Sequence, residues 1–301
     1  MTITTKKVTF QDLDLPTGKK ARLHRLMYQH GPKNGTMLFL PYDQGLEHGP
    51  RDFFDNPDSG DPEYIVKLAQ DGGYSGVVFQ IGLAEKYMRA FAGKVPLVLK
   101  LNGKTEIPAD RSPISPLLAD VEDAVRLGAD AVGYTMYVGS SMQDEDFVQF
   151  SSVRKDAERY GMPFIIWAYP RGEAVEAKGG KDSLWAVEYA ARVAQEVGAD
   201  VVKVNFPKTE WDKSKSPKPY DTIKIEPQDA VRRVIQAAGN TMVLISGGEK
   251  KGDEDVLDKV RLSMEAGAVG IIFGRNIWQR KYDEAMKVSK QIRDIMLKYG
   301  S

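Results

Sequence analysis

The residue best placed to do chemistry in this 301-residue sequence is Lys203, a cation inside the otherwise apolar run GADVVKVNF at 198–206. Such a run is typical of a strand that is buried on both faces of a parallel sheet. Burial removes water from the side chain and favours its neutral amine, which can attack a carbonyl carbon and form a Schiff base. The alternative interpretation is a lysine that pairs with a nearby carboxylate or whose ammonium reaches solvent at a strand end.

Polar side chains also stand in or at the ends of other apolar runs. They are Asp43, Lys100, Asn102, Tyr169, Ser246 and Arg275. Asp43 and Tyr169 are candidates for general acid–base work beside a Schiff-base lysine, although an aspartate can also cap a turn and a tyrosine can simply pack. Lys100 is either a second cation that lowers the pKa of Lys203 or an ion-pair partner.

Glycine is frequent at the last two of these ends, SGG at 246–248 and GRN at 274–276. Glycine lets backbone N–H groups approach an oxyanion closely, a helix N-terminus adds a favourable dipole, and an arginine supplies a planar fork of donors. The two ends therefore predict a phosphate site, formed by Ser246, Gly247, Gly248, Gly274 and Arg275. The alternative is that each glycine serves only a tight turn.

Short apolar runs alternate with longer helical patterns, and this alternation must position the polar ends. The predicted strands are Thr36–Asp43, Ser75–Gly82, Val95–Asn102, Asp130–Val138, Met162–Tyr169, Ala199–Phe206, Thr241–Ser246 and Ala268–Gly274. The predicted helices include Pro62–Gln70, Leu117–Leu127, Asp182–Glu196, Pro227–Ala238 and Glu254–Glu265. Such alternation predicts an α/β fold, a (β/α)₈ TIM barrel, with its active site at the C-terminal ends of the strands and a phosphate site after the last two. A doubly wound open sheet competes, but no G-x-G-x-x-G follows the first strand.

Two segments fall outside the regular unit. Residues 1–35 are predicted to be an N-terminal extension that caps the barrel or reaches a neighbouring subunit, and residues 36–301 the catalytic barrel. Residues 208–226, which are rich in lysine and interrupted by prolines, predict a loop at the C-terminal face. A long loop there acts as a lid or substrate wall, or is plainly solvated.

Composition excludes several classes of function. Lys+Arg and Asp+Glu both total 42, so net charge indicates neither nucleic acid nor an anionic membrane as a partner. There is no cysteine, which excludes disulfides and thiolate chemistry, and the spacing of the three histidines argues against a zinc site. A carboxylate Mg²⁺ site is left open, although no EF-hand or Walker pattern supports one. No apolar run approaches a membrane span of about 20 residues and the N-terminus lacks a signal core, so the expected location is cytoplasmic.

Five motifs together carry a resemblance to a known family. They are PYDQGLEHGP (41–50), WAYPRG (167–172), ADVVKVNF (199–206), SGGEK (246–250) and EAGAVGIIFGRNIWQR (265–280). With these the sequence resembles the archaeal-type class I fructose-1,6-bisphosphate aldolases, Schiff-base aldolases of the DeoC/FbaB type. That family also includes autoinducer-processing enzymes and 2-amino-3,7-dideoxy-heptulosonate synthases. One departure is Gln44, where the family pattern usually has histidine; His48 matches the second histidine of the motif. The 208–226 loop is also longer than the family leads us to expect.

The resemblance implies a role for each matching residue. Lys203 would form the Schiff base, Tyr169 would act as acid and base, and Asp43 would stand near the imine. The remaining substrate contacts would come from Trp167, His48, Ser246, Gly247, Gly248, Lys250, Gly274 and Arg275. The implied reaction is reversible, metal-free cleavage of fructose 1,6-bisphosphate to dihydroxyacetone phosphate and glyceraldehyde 3-phosphate, without a cofactor and in a homo-oligomer. The alternatives are a related lyase or transferase on another phosphorylated ketose, and a phosphosugar-binding barrel without turnover.

Overall fold

A closed barrel of parallel strands forms the centre of the computed structural model, which describes residues 3–248 and 252–300. Within those residues eight strands pair in chain order, and the last pairs with the first. The strands are β1 (Met37–Pro41), β2 (Gly76–Gln80), β3 (Leu97–Lys100), β4 (Ala131–Val138), β5 (Phe164–Pro170), β6 (Val201–Asn205), β7 (Met242–Ser246) and β8 (Gly270–Ile272). The predicted (β/α)₈ barrel is confirmed, and the open sheet is wrong.

Helices connect the strands and surround the barrel. In the described part of the chain they are α1 (Thr17–His24), α2 (Gln44–His48), α3 (Pro62–Gly72), α4 (Ile81–Tyr87), α5 (Val121–Arg126), α6 (Gln143–Arg159), α7 (Glu173–Glu176), α8 (Leu184–Val197), α9 (Pro227–Ala238), α10 (Asp253–Glu265), α11 (Arg275–Trp278) and α12 (Tyr282–Met296). Burial of one helix face against the strands explains why these segments show a helical period in sequence.

One predicted helix, Leu117–Leu127, is too long. Leu117 instead forms an antiparallel bridge with Asn102, and α5 begins only at Val121. The reason is the capping box of Asp120, whose side chain accepts a hydrogen bond from the backbone of Asp123 while the Asp123 side chain accepts one in return. This reciprocal pairing satisfies free N–H groups and fixes the first turn.

Alternation along each strand decides which side chains face the barrel interior. On β6, Val201 belongs to the inner apolar cluster, whereas Val202 and Val204 pack outward against the helices. Lys203 shares the parity of Val201 and therefore points inward, one layer nearer the C-terminal end. The same parity on β5 places Trp167 in the inner cluster.

The N-terminal residues cover the opposite end of the barrel. Phe10 and Leu26 belong to the same apolar cluster as the inner residues of the strands. Lys19, which is 1% exposed, binds Asp200 at 3.0 Å and also contacts Glu158. The segment therefore closes the bottom of the barrel through apolar and charged contacts. The predicted division of the chain at residue 35 stays a prediction.

The predicted loop after β6 is confirmed. Between Phe206 and Glu226 the only regular structure is a short 3₁₀ turn, Lys213–Lys215, within this described segment. Trp211 Nε1 donates to Ser216 Oγ at 2.8 Å, and Tyr220 contacts Glu188 on α8. Contacts between its own side chains and with the outside of the barrel therefore hold the loop next to the C-terminal face.

Candidate active site

Lys203 occupies the middle of β6, which places its amine at the C-terminal mouth of the barrel. The side chain is 4% exposed, and Nζ contacts the hydroxyl of Tyr169. Nζ also lies 5.4 Å from the ring centroid of Trp167. Loss of hydration is the main cause that lowers the pKa of Lys203 to about 7, and the charge of Lys100 lowers it further. A large fraction of this amine is therefore neutral at physiological pH, so the expected Schiff-base chemistry is physically possible.

Tyr169 stands two residues beyond Trp167 on β5 and shares its inward parity. Its ring centroid lies 4.6 Å from Lys203 Nζ and 5.1 Å from the guanidinium carbon of Arg171. Desolvation, followed by the charges of Asp43 and Glu47, raises the pKa of Tyr169 well above its ordinary value. The phenol is therefore protonated in the resting protein and can donate a proton before it accepts one.

Asp43 and Lys100 form an ion pair beside the amine. Lys100 Nζ lies 3.6 Å from Asp43 Oδ2, and it donates to Thr135 Oγ1 at 2.8 Å and to the carbonyl of Asn102 at 3.1 Å. Burial lowers the pKa of Lys100, while Asp43 opposes that shift. The two alternatives left open by the sequence for Lys100 therefore both hold, since it pairs with a carboxylate and also lowers the pKa of Lys203.

The residues after β1 continue the wall of the site along α2. His48 Nδ1 lies 2.7 Å from Asp52 Oδ2, an i,i+4 pair that orients the imidazole. Glu47 adds a carboxylate whose charge acts on Lys203, Lys100 and Tyr169. The mouth of the barrel thus holds two lysines and two carboxylates close together.

A cavity of about 820 Å³ opens directly above Lys203. It is wide enough for a phosphorylated sugar, since ligand pockets commonly measure about 300–1,000 Å³. The predicted site residues that line it are Lys203, Tyr169, His48, Ser246, Gly247, Gly248, Gly274 and Arg275. Asp43 and Trp167 instead line a smaller cavity next to it, together with Lys203 and Tyr169.

The ends of β7 and β8 meet at one side of the large cavity. Ser246 Oγ donates to Asn205 Oδ1 at 3.0 Å, which ties the end of β7 to the end of β6. A Cβ on Gly247 would lie 2.8 Å from Asn276 Nδ2, and a Cβ on Gly274 would lie 2.9 Å from the carbonyl oxygen of Pro41. Close packing therefore requires these two glycines. A Cβ on Gly248, whose φ is +70°, would meet no atom within 4 Å among the described residues. Lys250, also predicted to bind substrate, lies outside the described residues.

Comparison with protein families identifies the chain. The model of the DeoC/LacD family aldolases matches residues 37–280, which spans every strand of the barrel described above. The chain belongs to the DeoC/LacD family of aldolases. The predicted family is therefore confirmed.

Two relatives and one solved structure are similar to this aldolase over most of its length. The class 1 fructose-bisphosphate aldolase of Thermoproteus tenax is 43% identical over 269 residues, 89% of this chain and 91% of the relative. The class 1 enzyme of Halobacterium salinarum is 36% identical over 253 residues, 84% and 88% of the two chains. An archaeal fructose-1,6-bisphosphate aldolase, solved with its catalytic lysine covalently bound to the carbinolamine intermediate of its substrate, superposes with a TM-score of 0.78. It is 40% identical, and the match covers 91% of this chain and 99% of that one.

Sequence reasoning missed several polar residues at the mouth of this aldolase. Glu47, Asn205 and Asp182 all line the large cavity, and Asn205 Nδ2 donates to Asp182 Oδ1 at 3.0 Å. Asn205 could have been found from parity, because it stands two residues beyond Lys203 on the same face of β6. Glu47 stands one residue before His48 in the motif after β1, but nothing in its spacing marked it as facing the amine. No signal was available for Asp182, which follows α7 in a loop.

Two features are absent from the described residues. No helix in 3–248 or 252–300 is long and apolar enough to cross a membrane. In the same part of the chain, no three His, Asp or Glu side chains are grouped so that they could hold a metal ion.

Proposed function

We propose that this aldolase cleaves fructose 1,6-bisphosphate reversibly into dihydroxyacetone phosphate and glyceraldehyde 3-phosphate through a Schiff base on Lys203. The observation that carries the proposal is the buried amine with a pKa of about 7, in contact with a tyrosine hydroxyl at the floor of a sugar-sized cavity. The class 1 fructose-bisphosphate aldolases among the relatives support the choice of substrate.

The reaction begins when the neutral amine of Lys203 attacks C2 of the ketose. The N–C bond forms, the carbonyl π pair moves to oxygen, and a proton passes from nitrogen to that oxygen to give a carbinolamine. The hydroxyl then takes a proton and leaves as water while the nitrogen lone pair forms the C=N bond. The resulting iminium is an electron sink, which is what covalent catalysis supplies here.

Cleavage of the C3–C4 bond follows. The electron pair of that bond moves toward the iminium and gives an enamine, while Tyr169 takes the proton of the C4 hydroxyl as glyceraldehyde 3-phosphate forms. Tyr169 first releases its own proton to the solvent in the large cavity, and the iminium cation on Lys203 and the guanidinium of Arg171 stabilise the phenolate that results. Tyr169 then gives this proton to C3 of the enamine, and hydrolysis of the iminium that forms again releases dihydroxyacetone phosphate.

A bisphosphate needs two anion sites, and the cavity carries cations on two sides. Arg275 stands at the end of β8 beside Gly248 and Ser246, which supports phosphate binding there. Arg171 and two lysines line the wall that belongs to the loops after β5 and β6; the lysines are Lys181 and Lys208. We assign one phosphate of the substrate to each of these two sides.

Two rival functions use the same residues. A heptulosonate-synthase-like or autoinducer-processing enzyme would act on another phosphorylated ketose, and a sensor barrel would bind the phosphosugar without turnover. The test is a coupled assay of fructose 1,6-bisphosphate cleavage against other sugar phosphates. Preferred cleavage of the bisphosphate supports the proposal. Preference for another ketose contradicts it, and so does ligand-induced stabilisation without turnover or a covalent adduct.

The pH dependence of the reaction follows from the amine. We expect kcat/KM to rise with pH and level off above about 7, because the amine of the free enzyme must be neutral to attack and its pKa is about 7. Lys100→Met removes a positive charge that lowers this pKa, so its profile should shift to higher pH. Lys94→Met, an exposed lysine before β3, is the control. Ionisation of the substrate phosphates is common to all three profiles, so an unshifted Lys100→Met profile would contradict this account.

Arg275→Ala should weaken binding of phosphorylated substrates. We expect KM to rise about 10- to 100-fold with a smaller change in kcat, since a hydrogen bond to a charged group contributes about 1.5–3 kcal/mol. Steady-state kinetics would measure this, with Arg192→Ala on the outer surface of α8 as the control. An unchanged KM for Arg275→Ala would remove the phosphate assignment.

Two further expectations from the sequence stay predictions. One is the homo-oligomer, which light scattering of the purified protein would test. The other is the cytoplasmic location, which fractionation of the source cells would test.

A further inference from the structure

A second, much smaller cavity lies next to the large one, mostly among residues of β1 to β4 and of the loops that follow them. We call it the inner cavity. It measures about 30 Å³, and its lining includes Asp43, Gln44 and Gln80. Lys203 and Tyr169 line both cavities, so the inner cavity also reaches the reacting amine. The function proposed above leaves two of its residues, Gln44 and Gln80, without a role.

Three carboxylate or amide oxygens of the inner-cavity residues are buried and have no hydrogen-bond partner among the described residues. They are Asp43 Oδ1, Gln44 Oε1 and Gln80 Oε1. Gln80 Nε2 donates to the carbonyl of Asn102 at 3.2 Å, which fixes the other half of that amide. Buried acceptors are nearly always satisfied in proteins, so three of them around one cavity call for a donor there.

The donor that fits is water. A cavity of this size exceeds the roughly 10–15 Å³ that one water molecule needs, and a water molecule brings two O–H donors. Its own oxygen can accept a bond from Trp167 Nε1, a buried donor that also lacks a partner in the described chain. A cation fits poorly, because Lys100 and Lys203 line the same cavity.

We propose that Gln44 and Gln80 hold a water molecule against Asp43 Oδ1, and that this site receives the water released when the imine forms and supplies it when the imine is hydrolysed. Gln44 and Gln80 are then positioning residues, and Asp43 is the group that exchanges a proton with this water. The inference rests on the Schiff-base function proposed above. It also gives a role to Gln44, the departure from the histidine of the family pattern.

The proton that this step needs comes from Lys203 and is carried by Asp43. Asp43 takes one proton from the Lys203 ammonium and leaves the neutral amine that attacks C2. After the carbinolamine has formed, Asp43 returns that proton to the hydroxyl oxygen, the C2–O bond breaks, and water leaves into the inner cavity. The sum is an ammonium plus a ketone giving an iminium plus water. Hydrolysis runs the same steps in reverse with the held water as nucleophile.

The experiment measures oxygen exchange separately from carbon–carbon cleavage. Dihydroxyacetone phosphate is incubated in H₂¹⁸O with the enzyme, and the enzyme-dependent gain of label at its carbonyl is followed by mass spectrometry. Since exchange requires the imine step and not cleavage, its rate reports the water site. We expect Gln80→Leu, and independently Gln44→Leu, to slow exchange about tenfold or more. KM for fructose 1,6-bisphosphate should change little in Gln80→Leu, because Gln80 lines only the inner cavity of the two, whereas Gln44 lines both.

Gln195→Leu is the matched control. Gln195 Oε1 is also buried without a partner among the described residues, but it lies on α8 outside the barrel, beside Gly239. Its exchange rate should equal that of the parent. An unchanged exchange rate in both Gln80→Leu and Gln44→Leu, with the variants folded by circular dichroism, would overturn the proposal.

A crystal structure of the unmodified enzyme tests the same site without any variant. We expect density for a water molecule within hydrogen-bond distance of Asp43 Oδ1 and of at least one of Gln44 Oε1 and Gln80 Oε1; a dry cavity would overturn the proposal. This result does not depend on turnover. If the parent enzyme forms no imine with dihydroxyacetone phosphate, the proposed function fails, whereas the density still decides whether the water is bound.

Discussion

Lys203→Ala should abolish cleavage of fructose 1,6-bisphosphate, lowering kcat by at least about 10⁴-fold. The reason is that no other described side chain combines an inward position on a strand, contact with the Tyr169 hydroxyl and a pKa of about 7. Lys203→Arg should be equally inactive, because a guanidinium keeps the charge and is not a nucleophile at neutral pH. The measurement is the coupled aldolase assay at enzyme concentrations high enough to detect residual turnover.

Stability must be measured beside activity in these variants. Desolvation of the buried Lys203 amine outweighs its attraction to Asp43, so removing the amine should cost the fold little. We expect Lys203→Ala to remain folded, with a thermal midpoint close to that of Lys94→Ala, an exposed control. Substantial turnover in either Lys203 variant would contradict the mechanism.

Tyr169→Phe should separate the two halves of the reaction. We expect cleavage to fall by about 10²- to 10⁴-fold, the usual contribution of a positioned acid or base, because the C4 hydroxyl then has no phenolate to accept its proton. The imine on Lys203 should still form, since the amine remains buried and burial is the main cause of its lowered pKa. The measurements are kcat for cleavage and the yield of the borohydride-trapped adduct with dihydroxyacetone phosphate.

A second buried tyrosine serves as the control for this variant. Tyr74 is 2% exposed and its hydroxyl lies 2.6 Å from Ser289 Oγ, on the outside of the barrel. Tyr74→Phe should keep cleavage within a few-fold of the parent. Equal losses in the two tyrosine variants would indicate a structural effect, and normal cleavage in Tyr169→Phe would exclude the phenol as the base.

Much of the architecture was predictable because it depends on local pattern. Each strand is a short apolar run, and strand parity alone places Lys203 and Trp167 on the same inner surface. The ends of the helices were harder to predict. The capping box of Asp120 competes with an apolar run that begins at Leu117, and only tertiary packing decides between them.

The site residues likewise include some that were predictable from sequence and some that were not. The strand ends located the amine, the tyrosine and the glycine turns, since those depend on topology. The sequence contained no sign that Glu47 acts on Lys203, or that the glutamines after β1 and at the end of β2 share a cavity with Asp43. Those relations depend on the diameter of the closed barrel and on side-chain directions from four strands, which no spacing along the chain encodes.

Borohydride trapping with dihydroxyacetone phosphate, followed by peptide mass spectrometry, decides whether Lys203 forms the Schiff base. Two buried lysines, Lys203 and Lys100, stand at the mouth of the barrel, both with lowered pKa values. We predict a reduced adduct on the peptide that contains Lys203 and none on the peptide that contains Lys100, which is held by Asp43 and Thr135. An adduct on Lys100, or no adduct on any lysine while the phosphorylated ligand still binds, would contradict the account.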